Sequence, residues 1–243
     1  MPLRHLAIYL LALCALCAPL LGQDASKPST SAADFDLPAL ARETQQMLNV
    51  PGYFGMVWWI PTEYWEHASE RAGMSEEKAK EHYAALRKYT VVAVAVGKIG
   101  IGNVDYISEP EVRDATTLRD SDGTVYQSVQ KLSGDAEGLL AVMRAVFPKI
   151  MGPMGQNLQM LFFPATNQMA KPIADPLSPG GFSVTLSKIV GGKDKVVEWR
   201  LPLTTLSPPK YCPVGRERVQ SNWLYCPWHG VKLDAEPSNP ISK

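Results

Sequence analysis

The chain has 243 residues with 24 basic and 24 acidic side chains, so its formal net charge is zero. This balance argues against a nucleic-acid-binding protein, because phosphate recognition needs a basic surplus or a basic stripe. The hydrophobic content of 46% is typical of a folded globule, and the length suits one large domain or two small ones.

The N terminus has the pattern of a secretory signal peptide over residues 1–22. Arg4 supplies the positive charge, residues 6–21 form an apolar run, and Gly22 is a small residue suited to the position before cleavage. The run is shorter than a comfortable membrane span, although retention as an anchor stays open, and no later stretch is apolar enough to cross a membrane. We therefore expect an exported protein, periplasmic or extracellular, in which residues 23–35 form a flexible leader.

Residues 36–207 are predicted to form one α+β domain. The first half contains, in chain order, a helix over 36–47 capped by Asp36, a strand over 53–60, helices over 62–73 and 75–88, and strands over 89–96 and 103–107. Successive residues of a strand face opposite sides, so Trp58 and Trp59 belong to different faces. Because both faces of this strand are apolar, we expect a central strand whose tryptophans pack in the core.

The second half of this domain is predicted to be rich in hairpins. Asp122-Gly123 is a strong turn pattern between expected strands at 113–118 and 124–132. A helix over 135–150, a strand over 158–164, a loop over 165–181 and a hairpin of 182–190 with 195–201 follow. Since most neighbouring strands are joined by turns, the sheet should be mainly antiparallel with helices packed on one face. One parallel pairing is possible, between the first two strands, which two helices connect.

Residues 208–233 contain the same short motif twice, Cys-Pro followed shortly by Gly. Cys212 opens Cys-Pro-Val-Gly, and Cys226 opens Cys-Pro-Trp-His-Gly. This tail resembles a zinc ribbon, a family whose two knuckles each carry Cys-Pro-x-Cys-Gly. The first knuckle lacks its second cysteine and is one residue short, and His229 stands where the fourth cysteine would be. The resemblance implies a small knuckle-like appendage, followed by a C terminus (234–243) that we expect to be disordered.

The two tail cysteines have three possible states. A disulfide between Cys212 and Cys226 is favoured, because the knuckle geometry implied by the resemblance would bring the sulfurs together and an exported chain meets an oxidising environment. Such a bond would stabilise the fold by about 3 kcal/mol. A zinc site with Cys212, Cys226 and His229 as ligands is the alternative, one ligand short of a closed structural site. Two free or otherwise paired thiols are the third possibility.

The residue patterns favour a non-catalytic protein that binds a protein or small-molecule partner or supports an envelope assembly. No Gly-x-Ser-x-Gly elbow is present, and no histidine lies in a nucleophile motif. One alternative is an exported hydrolase with a site in the loop 165–181 or the acidic helix 62–73, whose charges we otherwise interpret as a solvated face. A second alternative is a zinc-binding tail that mediates contact with a partner. No cofactor or metal is expected, with zinc at Cys212, Cys226 and His229 as the alternative.

Overall fold

The computed structural model describes residues 35–208, 210–220 and 222–233. The predicted signal peptide, nearly all of the predicted leader and the predicted disordered C terminus lie outside these described residues. The helices are α1 (Leu37–Thr44), α2 (Thr62–Arg71), α3 (Glu76–Tyr83), α4 (Glu109–Ala115), α5 (Gly134–Met151) and α6 (Pro153–Gln156), with a 3-10 turn at Leu86–Lys88.

The strands divide into three antiparallel groups. The first sheet contains β1 (Gln45–Met47), β2 (Tyr53–Trp59), β3 (Tyr89–Ile99), β4 (Val104–Tyr106) and β7 (Gln159–Pro164). The second sheet contains β5 (Thr116–Arg119), β6 (Val125–Gln127), β8 (Gly180–Val190) and β9 (Lys193–Leu201). A short ribbon in the tail pairs β10 (Lys210–Tyr211) with β11 (Arg218–Val219). The chain thus has the predicted α+β fold with antiparallel sheets.

Strand β3 is the centre of the first sheet. It pairs with β2 along one edge, while β7 and β4 pair with successive stretches of its other edge. Its residues from Thr90 to Gly97 are all buried, because elements cover both faces of the sheet. A strand buried on both faces reads as a continuous apolar run, which explains the sequence YTVVAVAV.

Trp58 and Trp59 on β2 connect three layers. Trp58 packs on the aromatic rings of Tyr64 in α2 and Phe147 in α5. On the other face, Trp59 contacts Trp199 in β9 and Phe182 in β8. The order is therefore helices, first sheet, second sheet, and both tryptophans lie in the core, as the alternation of the strand predicts.

Thr44 connects the start of the domain to this core. Its hydroxyl donates to the carbonyl of Leu40 at 2.9 Å and accepts from Trp58 Nε1 at 3.0 Å. Its own carbonyl accepts from Trp199 Nε1, also at 3.0 Å. Two buried indole N–H groups from different sheets thereby find their partners on one residue, which satisfies the rule that a buried donor must be paired.

Several predicted elements have different bounds or types. The helix predicted at 36–47 ends at Thr44, and Gln45–Met47 pairs with β2 as an edge strand. Residues 113–115, predicted as strand, belong to α4, because Ser108 and Glu111 form a capping box that starts a helix at Glu109. The pairing of β2 with β3 is antiparallel rather than parallel. The Asp122-Gly123 hairpin and the long helix at 135–150 are confirmed.

Within the described ranges, none of the helices combines the length and apolar character needed to span a bilayer.

Candidate metal centre in the C-terminal tail

The tail, residues 210–233, is built from two knuckles with the same backbone hydrogen bonds. In the first, the Cys212 carbonyl accepts from Arg216 N–H at 2.8 Å and the Cys212 N–H donates to the Glu217 carbonyl at 3.0 Å. In the second, the Cys226 carbonyl accepts from Gly230 N–H and the Cys226 N–H donates to the Val231 carbonyl, both at 2.8 Å. In each knuckle one bond links the cysteine to the residue four positions later and the other links it to the residue five positions later. The two knuckles can therefore be aligned by placing Cys212 opposite Cys226.

The knuckles bring together the side chains of Cys212, Glu217, Cys226 and His229. One ligand atom from each lies within 4.8 Å of the others. Both cysteines are 1% exposed, whereas the side chains of Glu217 and His229 are 31% and 36% exposed. The sulfurs therefore face a small core that includes Val219 and Leu233, and the carboxylate and imidazole close the cluster on the solvent side.

Four of the six ligand-to-ligand distances in this cluster are close to those of a tetrahedral zinc site. Zinc bonds of about 2.3 Å to sulfur and about 2.0–2.1 Å to nitrogen or oxygen, at tetrahedral angles, place two N/O ligands about 3.3 Å apart. The same geometry places sulfur about 3.6 Å from nitrogen or oxygen. His229 Nδ1 lies 3.1 Å from Glu217 Oε1 and 3.3 and 3.5 Å from the sulfurs of Cys212 and Cys226. Cys226 Sγ lies 3.4 Å from Glu217 Oε1.

The donor set is also typical of zinc. Two thiolates select a soft or borderline metal, while an imidazole and a carboxylate are common zinc ligands. Four protein ligands fill a tetrahedral centre, which is the arrangement of structural rather than catalytic zinc sites. The set can therefore hold a zinc ion and link the two halves of the tail through it.

Glu217 is a candidate ligand that the sequence pattern does not predict. Aligning the knuckles by their hydrogen bonds places Gly215 opposite His229 and Arg216 opposite Gly230. Arg216 and Gly230 both adopt the left-handed region, with φ of 60° and 66°. The first knuckle is therefore not one residue short, and its second ligand position is held by a glycine. A Cβ added at Gly215 would collide with Glu217 Oε2, so the carboxylate occupies the space of the missing side chain.

Two ligands have shifted protonation equilibria. Burial raises the pKa of the Cys226 thiol. A hydrogen bond with its own backbone N–H holds the pKa of the Glu217 carboxyl below its ordinary value. Zinc binds cysteine as the thiolate, so zinc binding at Cys226 would release the thiol proton.

Cys212 and Cys226 are both free thiols in the structure. The Cys212–Cys226 disulfide therefore stays a prediction. It would use the same two sulfurs as the zinc site, so the two states exclude one another.

The acidic helix α2 lies elsewhere in the fold and is held by ion pairs. Glu66 is 4% exposed, and both of its carboxylate oxygens accept from Arg87 Nη2 at 2.6 and 2.8 Å. Burial raises the pKa of Glu63, which lies 3.6 Å from the same guanidinium, and Asp175 of the loop 165–181 adds to the rise. The interpretation of this face as solvated is wrong for Glu66, because its charge is buried against Arg87.

A cavity of about 550 Å³ lies between α4, α5 and β7. Its floor includes Met160 and Phe162, and Arg113 and Arg144 are among its lining residues. Both guanidiniums donate to the carboxylate of Glu109, at 2.7 and 3.2 Å. Both arginines at this cavity are therefore paired with Glu109, and the tail is the stronger candidate for a functional site.

Comparison of the chain with protein-family models, curated proteins and solved structures gave no match.

Proposed function

We propose that this is an exported, non-catalytic protein whose tail binds one zinc ion and mediates contact with a partner. The observation that carries the proposal is the convergence of Cys212, Glu217, Cys226 and His229, whose ligand atoms lie within 4.8 Å of one another. A single zinc ion would explain why all four side chains lie so close together. A disulfide, by contrast, would leave the carboxylate and the imidazole beside it without a role.

The size of the tail supports a structural role for the ion. Among the tail residues that the structure describes, the buried core consists of Cys212, Val219, Cys226 and Leu233, and it is separate from the core of the α+β domain. Segments shorter than about 40 residues rarely fold without a disulfide, a metal or a partner. Zinc would supply that stabilisation, because binding to a site that the unfolded chain lacks adds directly to the folding free energy.

The proposal is tested by native mass spectrometry of the full-length chain, expressed with zinc and purified under mild conditions. We expect a mass increase of one zinc ion and its loss after chelation. Cys212→Ser and His229→Asn should abolish the adduct. Glu198→Gln is the matched control, because Glu198 is an exposed carboxylate on β9 outside the tail. A wild-type chain that carries no zinc would contradict the proposal. Loss of two hydrogens at Cys212 and Cys226 in that chain, mapped by peptide analysis, would establish the disulfide instead.

A further inference from the structure

The two knuckles share more than their cysteine positions and backbone hydrogen bonds. Each begins with Tyr-Cys-Pro and ends on a basic residue, seven positions after the tyrosine. Tyr211 pairs across the first ribbon with Arg218, and Tyr225 pairs across the second with Lys232. Residues directly opposite in an antiparallel pair lie on the same face, so each knuckle places a phenol ring beside a cation. Tyr211 and Tyr225 are 43% and 60% exposed, and both cations are exposed as well.

The tail also exposes large apolar side chains that its own core does not use. Val214 and Trp228 occupy equivalent positions, two residues after each cysteine, and are 60% and 64% exposed. Val214 directly precedes Gly215 and Trp228 directly precedes His229, so both side chains belong to the knuckle turns beside the ligand cluster. Leu224, beside Tyr225, is 64% exposed. Exposed apolar groups that gather on a small module mark a binding surface.

The charge of the tail differs from that of the rest of the chain. Residues 210–233 include four basic residues, which are Lys210, Arg216, Arg218 and Lys232, and one acidic residue, Glu217. With zinc bound to two thiolates and a carboxylate, the centre carries one negative charge, so the tail carries a net charge of +3. The remainder has 20 basic and 23 acidic residues, which gives −3. A negatively charged surface would therefore attract the tail and repel the rest of the molecule.

We infer that the zinc-loaded tail docks onto the surface of an anionic lipid bilayer. Tyrosine and tryptophan favour the interface between headgroups and hydrocarbon, where one part of the ring system is apolar and another is hydrated. Arginine and lysine near that surface are attracted by anionic headgroups. Val214 and Leu224 would enter the apolar boundary, a role that aliphatic side chains do not have on a nucleic-acid strand. This inference rests on the proposed zinc site, because the metal holds the two knuckles in one orientation.

The experiment is flotation of the full-length, zinc-loaded chain with two kinds of vesicle. One contains phosphatidylcholine alone, and the other contains equal parts of phosphatidylcholine and phosphatidylglycerol. Zinc content is measured on each protein fraction. We expect binding to the anionic vesicles only, weakened by added salt because screening reduces surface attraction. Removal of two cations in Arg218→Ala/Lys232→Ala should lower the partition coefficient about 30-fold. Trp228→Ala should lower it about tenfold.

Matched controls lie on the α+β domain. Lys193→Ala/Arg200→Ala removes two exposed cations, and Val196→Ala shortens an exposed apolar side chain, all on β9. Their partition coefficients should stay within about twofold of the wild type, since the domain faces away from the bilayer.

Each other outcome overturns the inference at an identifiable step. A wild-type chain that carries zinc but does not float with anionic vesicles refutes membrane docking and leaves the zinc site intact. Binding of the same protein to a single-stranded oligonucleotide, without vesicle binding, assigns the surface to nucleic acid. Equal losses in the tail variants and in the controls would mean that binding is unspecific. Vesicle binding by a chain that carries no zinc refutes both the zinc site and the ordered docking surface.

Discussion

Replacement of Glu217 and Gly215 tests how the first knuckle completes its ligand set. Glu217→Gln removes the charge of one ligand while keeping its size. Gly215→Cys, added to that variant, places a thiol at the position that aligns with His229 in the second knuckle. The Cβ of residue 215 would meet the Glu217 carboxylate and lie 2.7 Å from His229 Cε1. The new side chain would therefore enter the ligand cluster, and the His229 ring would have to shift slightly to admit the sulfur. Gly215→Ala in the same background adds the Cβ without a ligand and serves as the control.

The expected size of the effect follows from the ligand count. Structural zinc sites with four protein ligands bind with about 10–16 kcal/mol, or roughly 2.5–4 kcal/mol for each ligand. Glu217→Gln should thus weaken zinc binding by about two to three orders of magnitude. The Gly215→Cys/Glu217→Gln protein should regain most of this loss, since a thiolate is at least as good a zinc ligand as a carboxylate.

Competition with a chromophoric chelator at fixed pH measures these affinities. We expect the wild type to bind zinc most tightly and the Gly215→Cys/Glu217→Gln protein to bind within about tenfold of it. Glu217→Gln and Gly215→Ala/Glu217→Gln should share the lowest affinity. Wild-type affinity in Glu217→Gln would show that the carboxylate is not a ligand. Equal affinities of the cysteine and alanine variants would show that residue 215 does not stand at the ligand position.

Two further predictions concern the α+β domain. Thr44→Val should lower the free energy of unfolding by about 1–3 kcal/mol, because the buried Trp58 Nε1 loses its acceptor; Thr44→Ser keeps the hydroxyl and should recover most of that loss in a denaturant titration. Burial would raise the pKa of Glu43, but the hydroxyls and backbone N–H groups of Thr204 and Thr205 bond to the carboxylate and lower it below 4.5. The stabilisation from this carboxylate is therefore present above its unfolded-state pKa and lost as the pH falls through the lower folded-state pKa. Glu43→Gln should lower the free energy of unfolding by about 2 kcal/mol at neutral pH. This is the value of a single charge-assisted hydrogen bond, and we count only one because the side chain is partly hydrated. In Glu43→Gln the denaturant midpoint should also fall less between neutral pH and pH about 3 than it does in the wild type. An equal fall in both proteins would show that the Glu43 carboxylate does not contribute to the pH dependence of stability.

The elements that could be predicted from the sequence are those whose pattern was long or repeated. The alternation around Trp58 and Trp59 placed the two rings on opposite faces, and the structure confirms the core position of both. The long apolar stripe of α5 and the Asp122-Gly123 turn were equally clear, because each rests on several residues or on a turn with a specific backbone requirement.

The segment before β5 shows where such patterns fail. Residues 113–118 are too short for their periodicity to separate strand from helix. The capping box of Ser108 and Glu111 lies upstream of this segment and was the one local indication of a helix. The division of the strands into two sheets also depends on contacts far apart in sequence, such as Trp59 with Phe182, which no local pattern contains.

Three of the four residues of the proposed metal centre could be predicted. Cys212, Cys226 and His229 followed from the resemblance to a zinc ribbon, whereas Glu217 did not, because no ribbon knuckle places a ligand five residues after its first cysteine. Glu217 is the one acidic residue between Lys210 and Leu233, and that isolation was the available indication. The alignment of Gly215 with His229 required the backbone hydrogen bonds of the folded knuckles.

X-ray absorption at the zinc edge of the full-length, zinc-loaded protein tests the central claim most directly. We expect two sulfur ligands at about 2.3 Å from the zinc ion and two nitrogen or oxygen ligands at about 2.0–2.1 Å from it. In Glu217→Gln the N/O shell should lose a ligand or take up a solvent molecule, while the two sulfurs stay. A shell with more than two sulfurs, or one without sulfur, would contradict a centre formed by Cys212, Glu217, Cys226 and His229.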